Sequence, residues 1–590
     1  MITLQNLIPP EPDICQETEL YFRGGEGVAL APDHKTFTVS VGQTLSFDSY
    51  FNLFNLEGWL SACALDGLCL EVFGTGRADL CVLLVQPDNA TPDLIVQQTS
   101  LLSQSTPVCL NLSDLLKHQT KGLLYLSLTA TSEDMTLTSA RFATPTQITT
   151  WPALTLSITT FQREAEVLAT LVRLKKFLAD FPHKEHIRLQ VIDNGQSLKL
   201  SSGEGLEVYP NRNLGGAGGF ARGLLEASEM GASHCLFMDD DAAFHMENIA
   251  RTYVFLALAR DPKTALAGAM INGDKKWSLW ENGAWFDGSC RPLHHGVDLR
   301  NRDAVIQFQH TMHAPVPRTF YGGWWFFAFP LRDLVHYPFP FFVRGDDVSF
   351  SIANDFAIHT LSGVAAFQDG FTEKENAHTL YLDLRSHLAH HLTLSQLERG
   401  RIRTAAIAIH FLMRSLLRCH YASAEAQLFA WQDVISGPAV FDDETHMPMR
   451  RAEIAALSKE EAWQHGVPRV PPQPLRPLPL PLRKLNTAFG LLILNGHLIP
   501  FWSVLAGRRV LGIGQRDQIP ATFGASVLTY VDTAEQRSYT LYHSKPRFFR
   551  ILRKMAELTY RFCRDFDAIK ADWRDGYMQM TTQTYWVQKR

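Results

Sequence analysis

The chain has no C-x-x-C pair, and its nine cysteines are scattered and odd in number. That excludes the ligand spacing of a zinc site and gives no even framework for disulfides, so a reducing compartment is expected. It also lacks a dominant charge. With 55 Lys and Arg against 60 Asp and Glu, nothing attracts the whole molecule to a polyanion, and no nucleic-acid partner is expected. The opening stretch MITLQNLIPPEPDICQETEL has neither a basic leader nor a long apolar run. Export is not expected, and the cytoplasm is the expected location. Long hydrophobic runs are scarce. One segment, Leu485 to Gly507, carries no formal charge and is long enough to cross a bilayer, but Asn495, Gly496, His497 and Pro500 interrupt it. A pair of strands or a buried turn is expected there, with a membrane-surface patch as the alternative.

What is present is a long chain of ordinary globular composition, 590 residues with 46% hydrophobic and 19% charged. It is too long for one core, so several domains and a multidomain α/β fold are expected. Residues 1–150 read as β structure: Phe37, Val39 and Val41 alternate with Thr36, Thr38 and Ser40, and Leu68 to Phe73, Leu80 to Val85 and Leu123 to Thr129 are strand-like. Asp66-Gly67 and Gly74-Thr75-Gly76 supply turns, and an N-terminal β-sandwich follows. From Trp151 strands alternate with helices through about residue 380, the outline of a nucleotide-binding α/β domain. Residues 381–466 are rich in helix formers. The stretch 467–484 is a proline-rich linker, and 485–590 ends in a basic, aromatic helix, KPRFFRILRKMAELTYRFCRDF, which reads as a solvated face or as a contact with anionic lipid.

The richest nine residues are His234 to Ala242, HCLFMDDDA. A short apolar strand ending in three carboxylates is poorly explained by packing. Strand alternation puts Asp239 and Asp241 on one face, where their repulsion is relieved by a hard cation such as Mg²⁺ or Mn²⁺. The competing reading is an acidic cap on the next helix, although a cap needs one acid. Gly215, Gly216, Gly218 and Gly219 in NRNLGGAGGFARG permit close approach of a ligand or a tight turn, but their spacing is not that of a phosphate loop. Two further clusters stand out. YGGWWFF offers Trp324 and Trp325 as sugar-stacking faces, and FFVRGDDVSF holds a second acidic pair, Asp346 and Asp347, as a source of a general base.

These motifs, with ITTFQRE and YLDLRS, occur in an order that resembles the polymerising galactofuranosyltransferases of mycobacterial galactan synthesis, inverting nucleotide-sugar enzymes of the GT-A fold. The resemblance implies a UDP-sugar donor, UDP-galactofuranose, and a growing glycan acceptor, lipid-linked, with peripheral contact on the inner face of the plasma membrane; a homo-oligomer is compatible with it. It also implies roles. Asp239 and Asp241 hold the divalent cation, Asp240 lies with the substrate, and Arg163, Asn194 and Asn213 hold the uridine and its phosphates. Arg344 and Asp346 contact substrate, Asp347 is the catalytic base, and Trp324 and Trp325 floor the acceptor site. This chain departs from the family at Gln368, where a metal-binding histidine is expected, so Gln368, Asp369 or a water is the third ligand. It departs again at Gly345, Asp383 and Ser386. The alternatives are a transferase for a hexopyranose or rhamnose donor, a nucleotidyltransferase, and a non-catalytic sugar-binding scaffold.

Overall fold

The computed structural model describes the chain except residues 88, 204, 371–374, 444–445, 467–479 and 517; the proline linker therefore lies largely outside the described residues. Contacts divide the chain into two compact units. The first is Met1–Pro338 with Phe350–Asp369 and Gln583–Arg590, and the second is Phe339–Ser349 with Gly370–Thr582. These units cut across the boundaries read from the sequence.

The first unit begins with strands joined in an eleven-stranded sheet. Phe37 and Val39 are buried and Thr38 is exposed, as their alternation predicts. The expected turn at Gly74-Thr75-Gly76 is corrected by the structure: one strand, Cys69–Gln86, runs straight through it. A Cβ on Gly74 would stand 2.1 Å from the carbonyl oxygen of Thr136, and the register slips between Leu137 and Ser139 on the facing strand. The glycines thus mark an irregularity where two backbones approach, not a reversal. The leading half of this strand pairs with Met135–Thr144 and the trailing half with Leu123–Ala130.

A second, seven-stranded sheet follows. Leu206–Pro210, Ile187–Asp193, Leu154–Thr160 and His234–Asp239 lie side by side and parallel, and Phe327–Pro330 and Thr264–Ala267 continue the sheet antiparallel before Ala357–His359 closes its edge. Parallel strands need crossovers, here the helices Glu164–Asp180 and Gly215–Glu229. All four parallel strands therefore end at one edge, and the motif residues collect there. The β-rich segment is fastened to this part of the unit by polar bonds. Asn6 donates its backbone N–H and its side-chain amide to Glu247, both at 2.7 Å, and buried Arg251 donates to the carbonyls of Asn6 and Ser362. The C-terminal helix Gln583–Lys589 belongs to this unit as well: Trp586 is buried with Phe220 and Phe237, and Arg590 pairs with Glu226 and Glu229.

In the second unit the helices Ala377–Thr393, Arg401–Leu417, Tyr421–Ile435 and His446–Leu457 agree with the helical pattern. Of the two readings of Leu485 to Gly507, a strand pair or a buried turn, the structure corrects the first and agrees with the second. The segment contains the end of a helix, Leu480–Leu492, a turn, and the short helix Trp502–Leu505. Asn495 and His497 are buried in the turn. Among the described residues, no helix is long and apolar enough to cross a membrane.

Candidate functional site

The strand His234–Asp239 is buried from Cys235 to Met238 and only half-buried at its end. Packing thus fixes the strand and leaves the carboxylates at the sheet edge. No helix follows them directly; the next one is Glu247–Leu258, whose N-cap is Met246, so the acidic-cap reading does not apply. The three carboxylates divide their partners. Asp240 turns toward the neighbouring strand end and accepts from Thr160 Oγ1 at 2.8 Å, Phe161 N at 3.3 Å and Arg163 Nη1 at 3.3 Å. Burial raises its pKa, and the Thr160 hydrogen bond and the Arg163 charge oppose that rise. Asp239 and Asp241 share a different partner: the side-chain amide of Gln368 donates to both. Arg163 also lies against Asp241 as an ion pair.

Gln368 ends the strand Ala365–Gln368, which pairs in parallel with Ala269–Asn272. Its Oε1 is buried with no hydrogen-bond partner. A side-chain amide reads equally well turned over, and that turn would bring an oxygen to the two carboxylates. Among the described residues, no group of three His, Cys, Asp or Glu is arranged to hold a metal. With the Gln368 amide turned over, Asp239, Asp241 and Gln368 would offer two carboxylates and one amide oxygen, hard donors of the kind that fit Mg²⁺ or Mn²⁺. Asp369, the other named candidate, follows in the chain and is exposed.

The remaining first-unit residues line the same strand ends. Asn194 is buried, donates to the carbonyl of Gly215 at 3.0 Å and accepts from Asn211 at 2.8 Å, so it braces the loop before the helix Gly215–Glu229. Asn213 is exposed and accepts from Gly215 N at 3.1 Å. The glycine cluster works mostly by packing. Gly215 opens the helix with φ +75°, but a Cβ on Gly219 would sit 2.2 Å from Thr159 Cγ2. Glycine there lets the helix lie close on the sheet.

The tryptophans depart from the expectation of open stacking faces. Trp324 is 4% exposed, with its ring edge-to-face against Phe220, Phe237 and Phe350 at 4.8 to 5.7 Å. Trp325 is 5% exposed and donates Nε1–H to the carbonyl of Gly268 at 2.9 Å. The physical reasons differ: the neighbouring aromatic core takes up the Trp324 indole, and the Trp325 indole is turned inward to the Gly268 carbonyl.

In the second unit, Asp346 and Asp347 open the helix Asp346–Ala353 after a loop in which Phe342, Arg344 and Gly345 all have left-handed φ, +74°, +68° and +90°. Strain of this kind persists where surroundings enforce it. Asp346 is buried, and Asp347 accepts from Val348 N at 2.8 Å. Burial pushes the Asp347 carboxyl up to about 6, against the backbone hydrogen bonds and the Arg344 charge. Arg344 pairs with Asp383 at 3.0 Å. The sequence departures explain one another: a Cβ on Gly345 would lie 2.7 Å from Ser386 Cβ and 2.8 Å from His390 Nε2. Glycine at 345 and a small residue at 386 form a matched pair. Reading the sequence alone missed Thr160 as the clamp on Asp240, a role that pairing between neighbouring strands creates.

Comparison with known proteins adds the following. No model of a protein family matches the chain. It is 23% identical over 602 residues to the galactofuranosyltransferase GlfT2 of Mycolicibacterium smegmatis, covering 95% of this chain and 90% of that protein. The chain is thus similar, along nearly its whole length, to a protein named as a galactofuranosyltransferase. A second relative, GlfT2 of Mycobacterium tuberculosis, is 22% identical over 449 residues, 70% of this chain and 68% of that protein. Solved structures overlap it less completely. The mannosyltransferase PcManGT of Pyrobaculum calidifontis, in complex with GDP-Man and Mn²⁺, covers 53% of this chain and 87% of its own at 15% identity and TM-score 0.28. S. aureus TarS 1-349 in complex with UDP covers 45% and 71% at 15% identity and TM-score 0.26.

Proposed function

We propose that this chain is an inverting, cation-assisted galactofuranosyltransferase that moves galactofuranose from UDP-galactofuranose to a growing, lipid-linked glycan. The observation that carries the proposal is similarity to a galactofuranosyltransferase over 95% of the chain. The strand-end carboxylates joined by Gln368 support it as a place for a hard cation. In this reading residues 1–150 are a β-sandwich docking module, 151–380 a GT-A domain, 381–466 a helical region, 467–484 a linker and 485–590 a C-terminal region.

In the reaction the acceptor hydroxyl oxygen bonds to the anomeric carbon as the bond from that carbon to the diphosphate breaks, so the configuration inverts and UDP departs. Asp239, Asp241 and, with its amide turned over, Gln368 Oε1 would hold a divalent cation, which when bound would neutralise charge on the departing diphosphate. Asp347 takes the acceptor proton, and burial, which raises its affinity for protons, suits it to that work near neutral pH. Arg163 exchanges its carboxylate partner for phosphate oxygens. Asn194 and Asn213 set the loop beside the nucleotide, while Arg344 and Asp346 contact substrate. Trp324 and Trp325 contribute to the acceptor site by shaping its wall from within the core.

The test is a panel of UDP- and dTDP-sugars, with and without Mn²⁺, scored by release of the nucleoside diphosphate and by NMR assignment of the product linkage. UDP-galactofuranose should be turned over fastest and yield a β-linked furanoside. A preference for a pyranose or rhamnose donor would replace the donor assignment while leaving the transferase.

A further inference from the structure

His245 follows the acidic residues Asp239 to Asp241 closely in the chain and is buried. Just before it, Ala243–Phe244 pairs antiparallel with the strand Ala365–Gln368, Ala243 opposite Phe367 and Phe244 opposite Ala366. The chain that leaves the carboxylates therefore runs at once beside the strand that ends in Gln368.

A buried imidazole needs a partner for each nitrogen. His245 finds both on the β-rich segment: Nδ1 is 3.1 Å from Glu11 Oε2, and Nε2 is 2.8 Å from the Tyr21 hydroxyl. Arg173, on the helix Glu164–Asp180, donates to Glu11 Oε1 at 3.2 Å and to the carbonyl of Phe244 at 2.6 Å. Burial acts to raise the Glu11 pKa, but the His245 hydrogen bond and the Arg173 charge outweigh it and hold the carboxyl below its ordinary value. An ionised Glu11 only accepts, so His245 Nδ1–H donates to it and Nε2 accepts from the Tyr21 O–H. Tyr21 is fixed in turn. It is fully buried, its carbonyl accepts from Ser49 Oγ at 2.6 Å and Asn52 Nδ2 at 2.7 Å, and its ring stacks on Phe51 with centroids 4.8 Å apart. Phe51 and Phe367 meet the imidazole edge-on at 5.0 and 6.3 Å, and Phe367 immediately precedes Gln368.

Tyr21 and His245 are too deeply buried to meet a substrate, so their work is to hold. What they hold is a stretch whose carboxylates must stand together against their own repulsion, and a metal site gains affinity when such ligands are fixed in advance. We infer, on the cation-assisted reading proposed above, that Glu11, Tyr21 and His245 are positioning residues of the cation site: from the β-rich segment they fasten the chain carrying Asp239 and Asp241 against the strand that carries Gln368.

Titration of the full-length protein with Mn²⁺, followed by the paramagnetic resonance of the free ion, tests this. His245→Phe keeps a ring but loses both bonds, and it should weaken Mn²⁺ binding by about tenfold or more, the usual cost of removing an outer partner of a metal site. Tyr21→Phe, short of one oxygen, should weaken it by about threefold, and Glu11→Ala by more than that. Turnover of the UDP-sugar by these variants should fall at limiting Mn²⁺ and return to the parent rate at saturating Mn²⁺, a recovery that a folding defect does not allow. Val39→Ala, which opens a cavity in the core of the same β-rich segment, should lower the melting temperature and leave Mn²⁺ affinity unchanged. If His245→Phe does not fold, Tyr21→Phe decides. Parent-like Mn²⁺ affinity in Tyr21→Phe and Glu11→Ala, or an equal loss of affinity in Val39→Ala, would overturn the positioning role and leave the cation reading standing. A parent protein that binds no Mn²⁺ would overturn both.

Discussion

The guanidinium of Arg344 donates through Nη1 to both carboxylate oxygens of Asp383, at 3.0 and 3.3 Å. Asp383 lies on the helix Ala377–Thr393 and Arg344 in the strained loop before Asp346, so one ion pair ties that loop to a rigid element. Burial raises the pKa of Asp383, and Arg344 acts against the rise. Asp383→Ala should therefore leave a partly buried cation without this partner, costing about 1 kcal/mol of stability. If Arg344 serves the donor, kcat/KM for the UDP-sugar should fall about tenfold, and Asp383→Glu should restore part of it. Thermal unfolding and donor-titrated kinetics read the two effects separately. An unchanged kcat/KM in Asp383→Ala would mean that the loop is set by other contacts.

Asp347→Asn should cut turnover by about 10²- to 10⁴-fold, because the amide matches the carboxylate in shape but takes no proton. Donor binding, measured by calorimetry with UDP, should remain. In the parent enzyme kcat/KM should fall as the pH drops below about 6, where the carboxyl becomes protonated. Stability runs the opposite way. The folded state holds the Asp347 proton above the ordinary carboxylate range, so this group's contribution is fully present at low pH and is lost as the pH rises through about 6. The asparagine variant should lack both dependences.

Removal of divalent cations with EDTA should abolish transfer, with recovery on adding Mn²⁺ or Mg²⁺. Asp239→Ala and Asp241→Ala should do the same while leaving the fold intact. Gln368→Leu separates the two roles given to the amide. Without a cation it should lower the melting temperature, because two neighbouring carboxylates lose their shared donor. With Mn²⁺ it should weaken binding, as read by the paramagnetic resonance of the ion. Full activity of either aspartate variant in cation-free buffer would remove the metal assignment.

The strand-end carboxylates were legible because an apolar run with period and length suited to a buried strand terminates in charge, a local pattern. So were the helices of the second unit, whose leucines recur at helical spacing. The strand Cys69–Gln86 was misread because Gly74 and Gly76 signal a turn by composition. What keeps the chain extended there is a neighbour some sixty residues away, Thr136, which no local window contains. The division of labour among Asp239, Asp240 and Asp241 was hidden for the same reason: Thr160 and Gln368 reach the cluster only through sheet pairing. The return of Trp586 to the first unit had no signal beyond a lone aromatic near the end of the sequence.

Trp324 and Trp325 give the sharpest contrast between a face that stacks on a ligand and a face already used. An exposed stacking tryptophan replaced by alanine would raise acceptor KM and leave the fold untouched. Here Trp324 is enclosed by Phe220, Phe237 and Phe350, so Trp324→Ala should open a cavity costing about 3–5 kcal/mol and lower the melting temperature markedly. Trp324→Phe should lose less. Trp325→Phe removes the Nε1–H that satisfies the Gly268 carbonyl, a smaller loss of about 1 kcal/mol. Gly268 lies next to Ala269–Asn272, the strand paired with Gln368, so that variant should also shift cation affinity slightly. Thermal unfolding of all three, set beside acceptor-titrated kinetics, decides the matter. A Trp324→Ala protein as stable as the parent, with only acceptor KM raised, would show that the indole leaves the core to meet the glycan.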